Sequence, residues 1–104
     1  MGRIAPTKAV SIELNALDLF TLHCGLMDLY PMFTHHDEKA TIDPRLFDLA
    51  RRLETAMLST GDIERPIIQN MITGRANTES ENLSRIQQFG SVDMWIPGVF
   101  PENE

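Results

Sequence analysis

Two histidines followed by two carboxylates form the densest run of metal-ligating residue types in the chain. They are His35, His36, Asp37 and Glu38. Imidazole and carboxylate groups bind zinc and other divalent metals. However, consecutive side chains of a loop point in different directions, and no H-E-x-x-H or H-x-H spacing accompanies them. We therefore interpret the run as a solvated polar loop and assign no metal ligand. A metal-binding protein that uses His35, His36 and Asp37 is the second alternative.

The remaining histidine precedes the only cysteine, a combination that supplies a base and a nucleophile in some enzymes. Adjacent residues of a helix are about 100° apart, so His23 and Cys24 do not face each other. Cys24 falls in an apolar arc, where burial keeps a thiol unreactive. We interpret Cys24 as a small core residue and His23 as a core histidine with a hydrogen-bonded partner.

Other catalytic patterns are missing from the sequence. Asp18 and Asp28 share a predicted helix face, but they lie roughly 15 Å apart along the axis, which is too far for paired acid–base chemistry. The G-x-S-x-G, G-x-G-x-x-G and P-loop motifs are absent. The sequence therefore predicts a protein that is not an enzyme, with no catalytic residue and no cofactor.

Three arginines fall on the outer face of the second predicted helix: Arg45, Arg51 and Arg52. In an acidic chain such a cluster suits the carboxylates or phosphates of a partner. The alternative is a solvated face that Asp48 and Glu54 balance, with Asp48 pairing to Arg52 one turn on. Both interpretations stay open, and the three arginines are candidate partner-binding residues.

A DNA-binding regulator of the helix-turn-helix type is the first alternative, because residues 62–89 are predicted to hold two short helices. The second of these exposes Asn82, Arg85 and Gln88, whose side chains can read base edges in the major groove. Such a unit needs a basic surface. Residues 61–90 instead carry more acidic than basic side chains: Asp62, Glu64, Glu79 and Glu81 against Arg65, Arg75 and Arg85. Nucleic acid is thus disfavoured as a partner.

The composition is that of one ordinary globular domain over residues 1–104. Hydrophobic residues make up 42% and charged residues 23% of the chain, so wholesale disorder is not expected. The net charge of −6 disfavours nucleic acid and anionic membranes, because like charges repel. A single cysteine excludes an intrachain disulfide and fits the cytoplasm. Polar residues interrupt the longest apolar stretch, so no membrane span is predicted.

The first predicted helix, over residues 14–30, is apolar around most of its circumference. Asn15 caps it and Asp18 lies in its first turn. We expect the helix to end before Pro31, because the residue preceding a proline avoids helical geometry. We interpret it as the central helix of the domain, although its apolar surface also leaves room for a homodimer interface.

The second predicted helix has one clean apolar face. It starts at Asp43 as the cap and Pro44 as the first helical residue, and it ends at Gly61. A third helix covers residues 63–73 and ends at Gly74. A fourth helix begins at the capping-box sequence of residues 78–81 and ends at Gly90.

Residues 91–104 form an extended aromatic tail in which prolines and a glycine exclude a helix. Its Trp95 and Phe100 are side chains of the kind that anchor protein interfaces. Because the first helix needs more cover than the other helices supply, we expect the tail to pack back on the core, with only the final PENE free. A minor two-stranded ribbon forms if residues 10–14 pair with residues 92–96.

These patterns predict an all-α domain of three or four helices, with a loose arm at residues 1–9. By elimination, its function is that of a small acidic protein–protein interaction module, acting as an adaptor, regulatory subunit or inhibitor of a larger assembly. Small acidic inhibitors, including those of phages and mobile elements, have such a charge. The candidate residues that bind the protein partner are Trp95, Phe100, Arg45, Arg51 and Arg52.

Overall fold

The computed structural model describes residues 8–90, except for the side chain of His36. These residues form three helices, α1 (Ala16–His36), α2 (Arg45–Thr60) and α3 (Arg65–Phe89), and contain no β-strand. The predicted all-α class is therefore confirmed. The tail at residues 91–104, with Trp95, Phe100 and the partner strand of the predicted ribbon, lies outside the described residues.

The start of α1 is capped as predicted. The Asn15 side-chain oxygen accepts a hydrogen bond from the backbone N–H of Asp18 at 2.8 Å. The Asp18 carboxylate accepts one from the backbone N–H of Asn15 at 3.1 Å. This reciprocal capping box satisfies two N–H groups that have no partner inside the helix.

The prediction that α1 ends before Pro31 is wrong, because the helix continues to His36. Proline removes one intrahelical hydrogen bond and crowds the preceding turn, at a cost of about 3 kcal/mol. Burial on both sides of Pro31 opposes this cost, since Tyr30 is buried and Phe33 packs against the same apolar cluster. His35 and His36 therefore lie in the last turn of α1 rather than in a loop.

The boundaries of α2 are close to those predicted. The Asp43 carboxylate accepts a hydrogen bond from the backbone N–H of Arg45 at 2.9 Å, and Pro44 immediately precedes the first helical residue. Gly61 follows the helix with a φ of 70°, a left-handed conformation that a residue without a Cβ adopts at low cost.

The last helix is one element, so the predicted break between two shorter helices is wrong. Neither Gly74 nor the capping-box sequence of residues 78–81 interrupts α3. Gly74 is exposed, and glycine inside a helix costs only about 1 kcal/mol relative to alanine. The predicted helix-turn-helix over residues 62–89 therefore does not form.

The three helices pack around α2, which contacts both α1 and α3, whereas α1 and α3 contact each other least. The prediction that the first helix is central is therefore wrong. A first apolar cluster joins α1 to the start of α2, and it consists of Tyr30, Ile42, Leu46 and Phe47, flanked by Leu26, Met27, Leu29 and Phe33. A second apolar cluster joins all three helices, and it consists of Leu19, Met57 and Ile68, flanked by Phe20, Leu53, Ala56, Ile63, Met71 and Ile72.

Because α1 lies at the side of the bundle, part of its apolar surface is exposed. Leu17 exposes 71% of its area, Leu22 46% and Met32 52%. Cys24 is also exposed, so the prediction of a buried core cysteine is wrong. No helix within residues 8–90 combines the length and the apolarity needed to cross a membrane.

Candidate functional site

A buried polar cluster joins the three helices, and each helix contributes one residue to it. We refer to His23 of α1, Glu54 of α2 and Arg75 of α3 as the polar junction. His23 Nε2 lies 2.9 Å from Glu54 Oε2. Arg75 donates from Nε to Glu54 Oε2 at 2.9 Å and from Nη2 to Glu54 Oε1 at 3.0 Å. Glu54 therefore links α2 to both other helices, and the prediction that it lies on a solvated face is wrong.

Ion pairs continue from the polar junction to the surface. Arg75 Nη1 donates to Glu79 Oε1 at 3.1 Å, and Arg51 donates to the same carboxylate. Arg51 Nη1 also donates to Asp48 Oδ1 at 2.7 Å. Acidic and basic side chains thus alternate from buried Glu54 to exposed Asp48, so each charge has a partner of opposite sign.

The ionised state of Glu54 follows from its partners. Burial by itself raises the pKa of Glu54, but hydrogen bonds from Arg75 and His23 outweigh burial and hold this pKa below its ordinary value. The hydrogen bond to Glu54 in turn raises the pKa of Arg75. Because an ionised carboxylate only accepts hydrogen bonds, Nε2 of His23 carries the shared proton.

A histidine paired with a carboxylate is part of the arrangement that activates a catalytic nucleophile. Cys24, the nucleophile next to His23 in sequence, is exposed and does not share the buried site of the polar junction. Among the residues that the structure describes, every buried side-chain nitrogen and oxygen already has a hydrogen-bond partner. The buried polar atoms of the polar junction thus bond to one another, and these hydrogen bonds hold the helices together.

A second buried polar contact ties α3 to the loop between α1 and α2. The backbone N–H of Ile42 donates to Asn82 Oδ1 at 2.9 Å, and Asn82 Nδ2 donates to the Ile42 carbonyl at 3.0 Å. Only 2% of Asn82 is exposed. The amide therefore holds one backbone residue from both sides, and it is not placed to read a DNA base.

Tyr30 and Arg85 tie α1 to α3 near the same loop. The Tyr30 hydroxyl donates to Glu81 Oε2 at 3.0 Å, and Arg85 pairs with Glu81 at 3.4 Å and donates to the carbonyl of Glu38. Burial and the hydrogen bond to Glu81 raise the pKa of Tyr30 to about 12. Arg85 is thus engaged within the fold, while Gln88 is exposed.

The three candidate arginines of α2 differ in their contacts. Arg45 pairs with Asp43, and Arg51 belongs to the chain of ion pairs that leads to the polar junction. Arg52 is exposed and makes no ion pair within residues 8–90. Asp48 pairs with Arg51 instead, so the predicted pair between Asp48 and Arg52 is wrong. Of the three, Arg52 has its charge free for a partner.

The predicted metal-binding run lies at the end of α1. His35 is exposed in the last turn, and Asp37 ends the helix with its backbone N–H bonded to the Phe33 carbonyl at 3.2 Å. Within the described part of the chain, no three histidine, cysteine or acidic residues are grouped so that they could hold a metal ion. The structure therefore offers no geometry in favour of the metal-binding alternative.

The sequence predicts that His23 is a hydrogen-bonded core histidine, but it does not identify Glu54 and Arg75 as the other members of the polar junction. The reason is the length of α3. The predicted break at Gly74 puts Arg75 in a turn, whereas in the structure Arg75 lies within one continuous helix. In one continuous helix, Arg75 and Asn82 share a face with Ile68, since they follow it at seven and fourteen residues. Polar side chains in register with an apolar face are the signal that locates this site.

The polar junction, the Asn82 contact and the Tyr30 contact together hold α3 against the rest of the bundle. The chain matches no protein-family model, no curated protein and no solved structure.

Proposed function

We propose that the protein is a non-enzymatic protein–protein interaction module of the cytoplasm, acting as an adaptor, a regulatory subunit or an inhibitor of a larger assembly. The observation that supports this proposal is an apolar stripe on α1, which we call the α1 edge. It consists of Leu22, Leu26, Leu29 and Phe33. The stripe follows the spacing i, i+4, i+7 and i+11, which places side chains along one face of a helix.

The α1 edge is only partly covered within residues 8–90. Leu22 exposes 46% of its area, and the other three side chains are half-buried at the margin of the first apolar cluster. A partner that covers the stripe removes this area from water, with a gain of about 25 cal/mol per Å² of apolar surface. Helices that bind in the apolar groove of another protein use anchors at this spacing.

The negative charge of the chain favours a partner with a basic surface. The net charge is −6, and Asp18 and Asp28 are exposed on α1. Long-range attraction therefore favours a protein with a basic rim around an apolar groove. Such a rim is typical of proteins that bind nucleic acid, so an inhibitor that covers such a surface fits the charge of this chain.

The test compares two leucines of equal exposure. Leu22 and Leu49 each expose 46% of their area, but Leu22 belongs to the α1 edge and Leu49 lies on α2. The tagged full chain, Leu22→Ser and Leu49→Ser are expressed in the native source, and co-purified proteins are quantified by mass spectrometry. We expect a partner that the unchanged chain and Leu49→Ser retain and that Leu22→Ser loses about tenfold, as for the truncation of an interface anchor.

Circular dichroism of both variants provides the folding control, since two equally exposed leucines are expected to contribute similarly to stability. A partner that Leu22→Ser retains in full would show that the α1 edge is not the contact. If the unchanged chain captures no protein above a tag-only control, the interaction function itself is wrong.

Neither alternative function gains support from the described residues. DNA reading by residues 62–89 required a turn between two helices and a free Asn82, whereas α3 is continuous and Asn82 is buried. Metal binding at His35 has no converging set of ligands among the described side chains. The anchor role of Trp95 and Phe100 stays a prediction.

A further inference from the structure

Residues 8–14, which lie just before the cap of α1, leave their backbone groups unpaired. Residues 8–14 form neither helix nor turn, and none of their N–H or C=O groups bonds to another protein group. Three apolar side chains of the segment are exposed, Val10 by 90%, Ile12 by 72% and Leu14 by 36%. The segment therefore combines free backbone donors and acceptors with apolar side chains that lie in water.

The order of residues in this segment is that of a β-strand without a neighbour. Val10, Ile12 and Leu14 alternate with Ser11 and Glu13, and a period of two places the apolar side chains on one face of a strand. A strand with free backbone groups is a template for pairing with another strand. The described residues contain no other strand to take that place.

We propose that residues 10–14 pair with the same residues of a second copy of the chain, as an antiparallel two-stranded ribbon centred on Ile12. In this register Val10 lies opposite Leu14 of the second copy, so every apolar side chain faces another. A shift of one residue in either direction places Ile12 opposite Glu13 or Ser11 and Val10 opposite Asn15 or Glu13, all of which are polar. A shift of two residues places either Glu13 opposite itself or Leu14 opposite Lys8, both of which are unfavourable cross-strand pairs.

The pattern favours a second copy over a foreign strand, because it is nearly symmetric about Ile12. Twofold contacts are self-complementary, and a palindromic order of apolar and polar residues meets that condition. Across the ribbon, the Ser11 hydroxyl faces the Glu13 carboxylate of the second copy and can donate to it.

We expect the dimer to be weak, because the ribbon is short. Five residues a side bury far less than the roughly 800 Å² per partner of a standard interface, and isolated two-stranded ribbons are marginally stable. The net charge of −6 on each copy also opposes association. Because salt screens this repulsion, the dimer forms more readily as the salt concentration rises. The contact uses none of the α1 edge, so it stands or falls separately from the proposed function.

The test measures self-association of the full chain by sedimentation equilibrium, from micromolar to millimolar concentration, with amide exchange of residues 10–14 followed in parallel. Ser11→Lys places an ammonium group opposite Glu13 twice in the dimer, so the dimer should tighten about threefold to tenfold. Ser84→Lys makes the same change of net charge on exposed α3, and it controls for reduced repulsion. Ile12→Asp places two like charges at the centre of the ribbon and should abolish the dimer.

The proposal is supported by a dimer in which amides 10–14 gain protection with concentration, which Ser11→Lys tightens more than Ser84→Lys and which Ile12→Asp removes. A monomer at all concentrations overturns it. If the amides of residues 10–14 are protected in that monomer, the segment pairs within its own chain. If they are unprotected, a different protein is the remaining candidate partner for the segment. A dimer that Ile12→Asp leaves intact also overturns it, because the two copies then meet elsewhere.

Discussion

Tyr30 is the only tyrosine of the chain, and it is 5% exposed. Burial and its hydrogen bond to Glu81 raise its pKa to about 12, whereas the unfolded chain has the ordinary value of about 10. We expect the near-ultraviolet absorbance of tyrosinate to appear with a midpoint near pH 12 in the folded protein and near pH 10 in urea. The raised pKa means that the neutral Tyr30 hydroxyl stabilises the folded protein. This stabilisation is fully present below pH 10 and is lost as the pH rises towards 12.

Glu81→Gln is the control for this titration, because it removes the carboxylate and keeps a hydrogen-bond acceptor. The Tyr30 midpoint of this variant should lie between those of the folded and unfolded chains. A folded protein that titrates near pH 10 would contradict the buried position of the hydroxyl.

Glu54 pairs with a buried histidine and a largely buried arginine, so its removal has a large effect. It is 4% exposed and holds both His23 and Arg75. We expect Glu54→Ala to lower the free energy of unfolding by about 2 to 4 kcal/mol, because it leaves buried His23 without its acceptor and leaves Arg75 with Glu79 as its remaining carboxylate. Urea unfolding at neutral pH, followed by circular dichroism, measures the difference.

Two variants show whether this effect comes from the buried ion pair. Glu13→Ala removes an exposed carboxylate and should change the stability by about 0.5 kcal/mol or less. The triple variant His23→Leu/Glu54→Leu/Arg75→Met removes both charges of the pair, and it should recover most of the loss from Glu54→Ala. A loss from the triple variant as large as that from Glu54→Ala would show that lost packing, and not an unpaired charge, is the cause.

At the scale of helices, Gly74 distinguishes one continuous α3 from two shorter helices. A Cβ at Gly74 meets no atom within 4 Å, and Gly74 has no positive φ. We therefore expect Gly74→Ala to raise the free energy of unfolding by about 0.5 to 1 kcal/mol, since alanine is the better helix former. Thermal unfolding followed by circular dichroism detects a change of this size.

Gly61 is the matched control, because it also has open space around its Cα but has a φ of 70°. Gly61→Ala should destabilise the protein by about 1 kcal/mol, as a side chain disfavours the left-handed conformation. If Gly74→Ala destabilises the protein as Gly61→Ala does, α3 is broken at Gly74.

The boundaries of the helices could be predicted where local signals agree with packing. Asn15 and Gly61 mark ends that the structure confirms, because capping and left-handed termination depend on neighbours in sequence. Pro31 and Gly74 mark ends that do not occur. At both positions a local penalty of about 1 to 3 kcal/mol is opposed by packing against the other helices. Tyr30 is buried next to Pro31, and Ile68 and Asn82 are buried about two turns on either side of Gly74.

For the whole molecule, the class could be predicted but the arrangement of helices could not. The apolar circumference of α1 suggests a central helix, yet α2 is central, and α1 leaves Leu22 of the α1 edge and Cys24 exposed. Periodicity shows which face of a helix is apolar and does not show how much of that face a neighbour covers. The polar junction joins all three helices, so its residues come together only when the relative register of the helices is known.

We expect the tail at residues 91–104 to add apolar side chains to the core that the three helices form. The sequence predicts that Trp95 and Phe100 cover apolar surface, and burial of one such side chain contributes about 2 kcal/mol. Deletion of residues 91–104 should therefore leave a helical domain, because both apolar clusters consist of residues between 19 and 72. The Tm should fall by roughly 15 °C or more, because the two side chains together contribute about 4 kcal/mol. Thermal unfolding of the full and shortened chains measures this shift.

Deletion of residues 101–104 alone is the control, since it removes PENE and keeps both aromatic side chains. It should leave the Tm unchanged. If the longer deletion also leaves the Tm unchanged, the tail is not part of the core. Trp95 and Phe100 are then available as anchors, and the shortened chain should lose the partner that the full chain captures. A shortened chain that remains folded and keeps its partner would confine the contact to residues 1–90, where the α1 edge is the candidate surface.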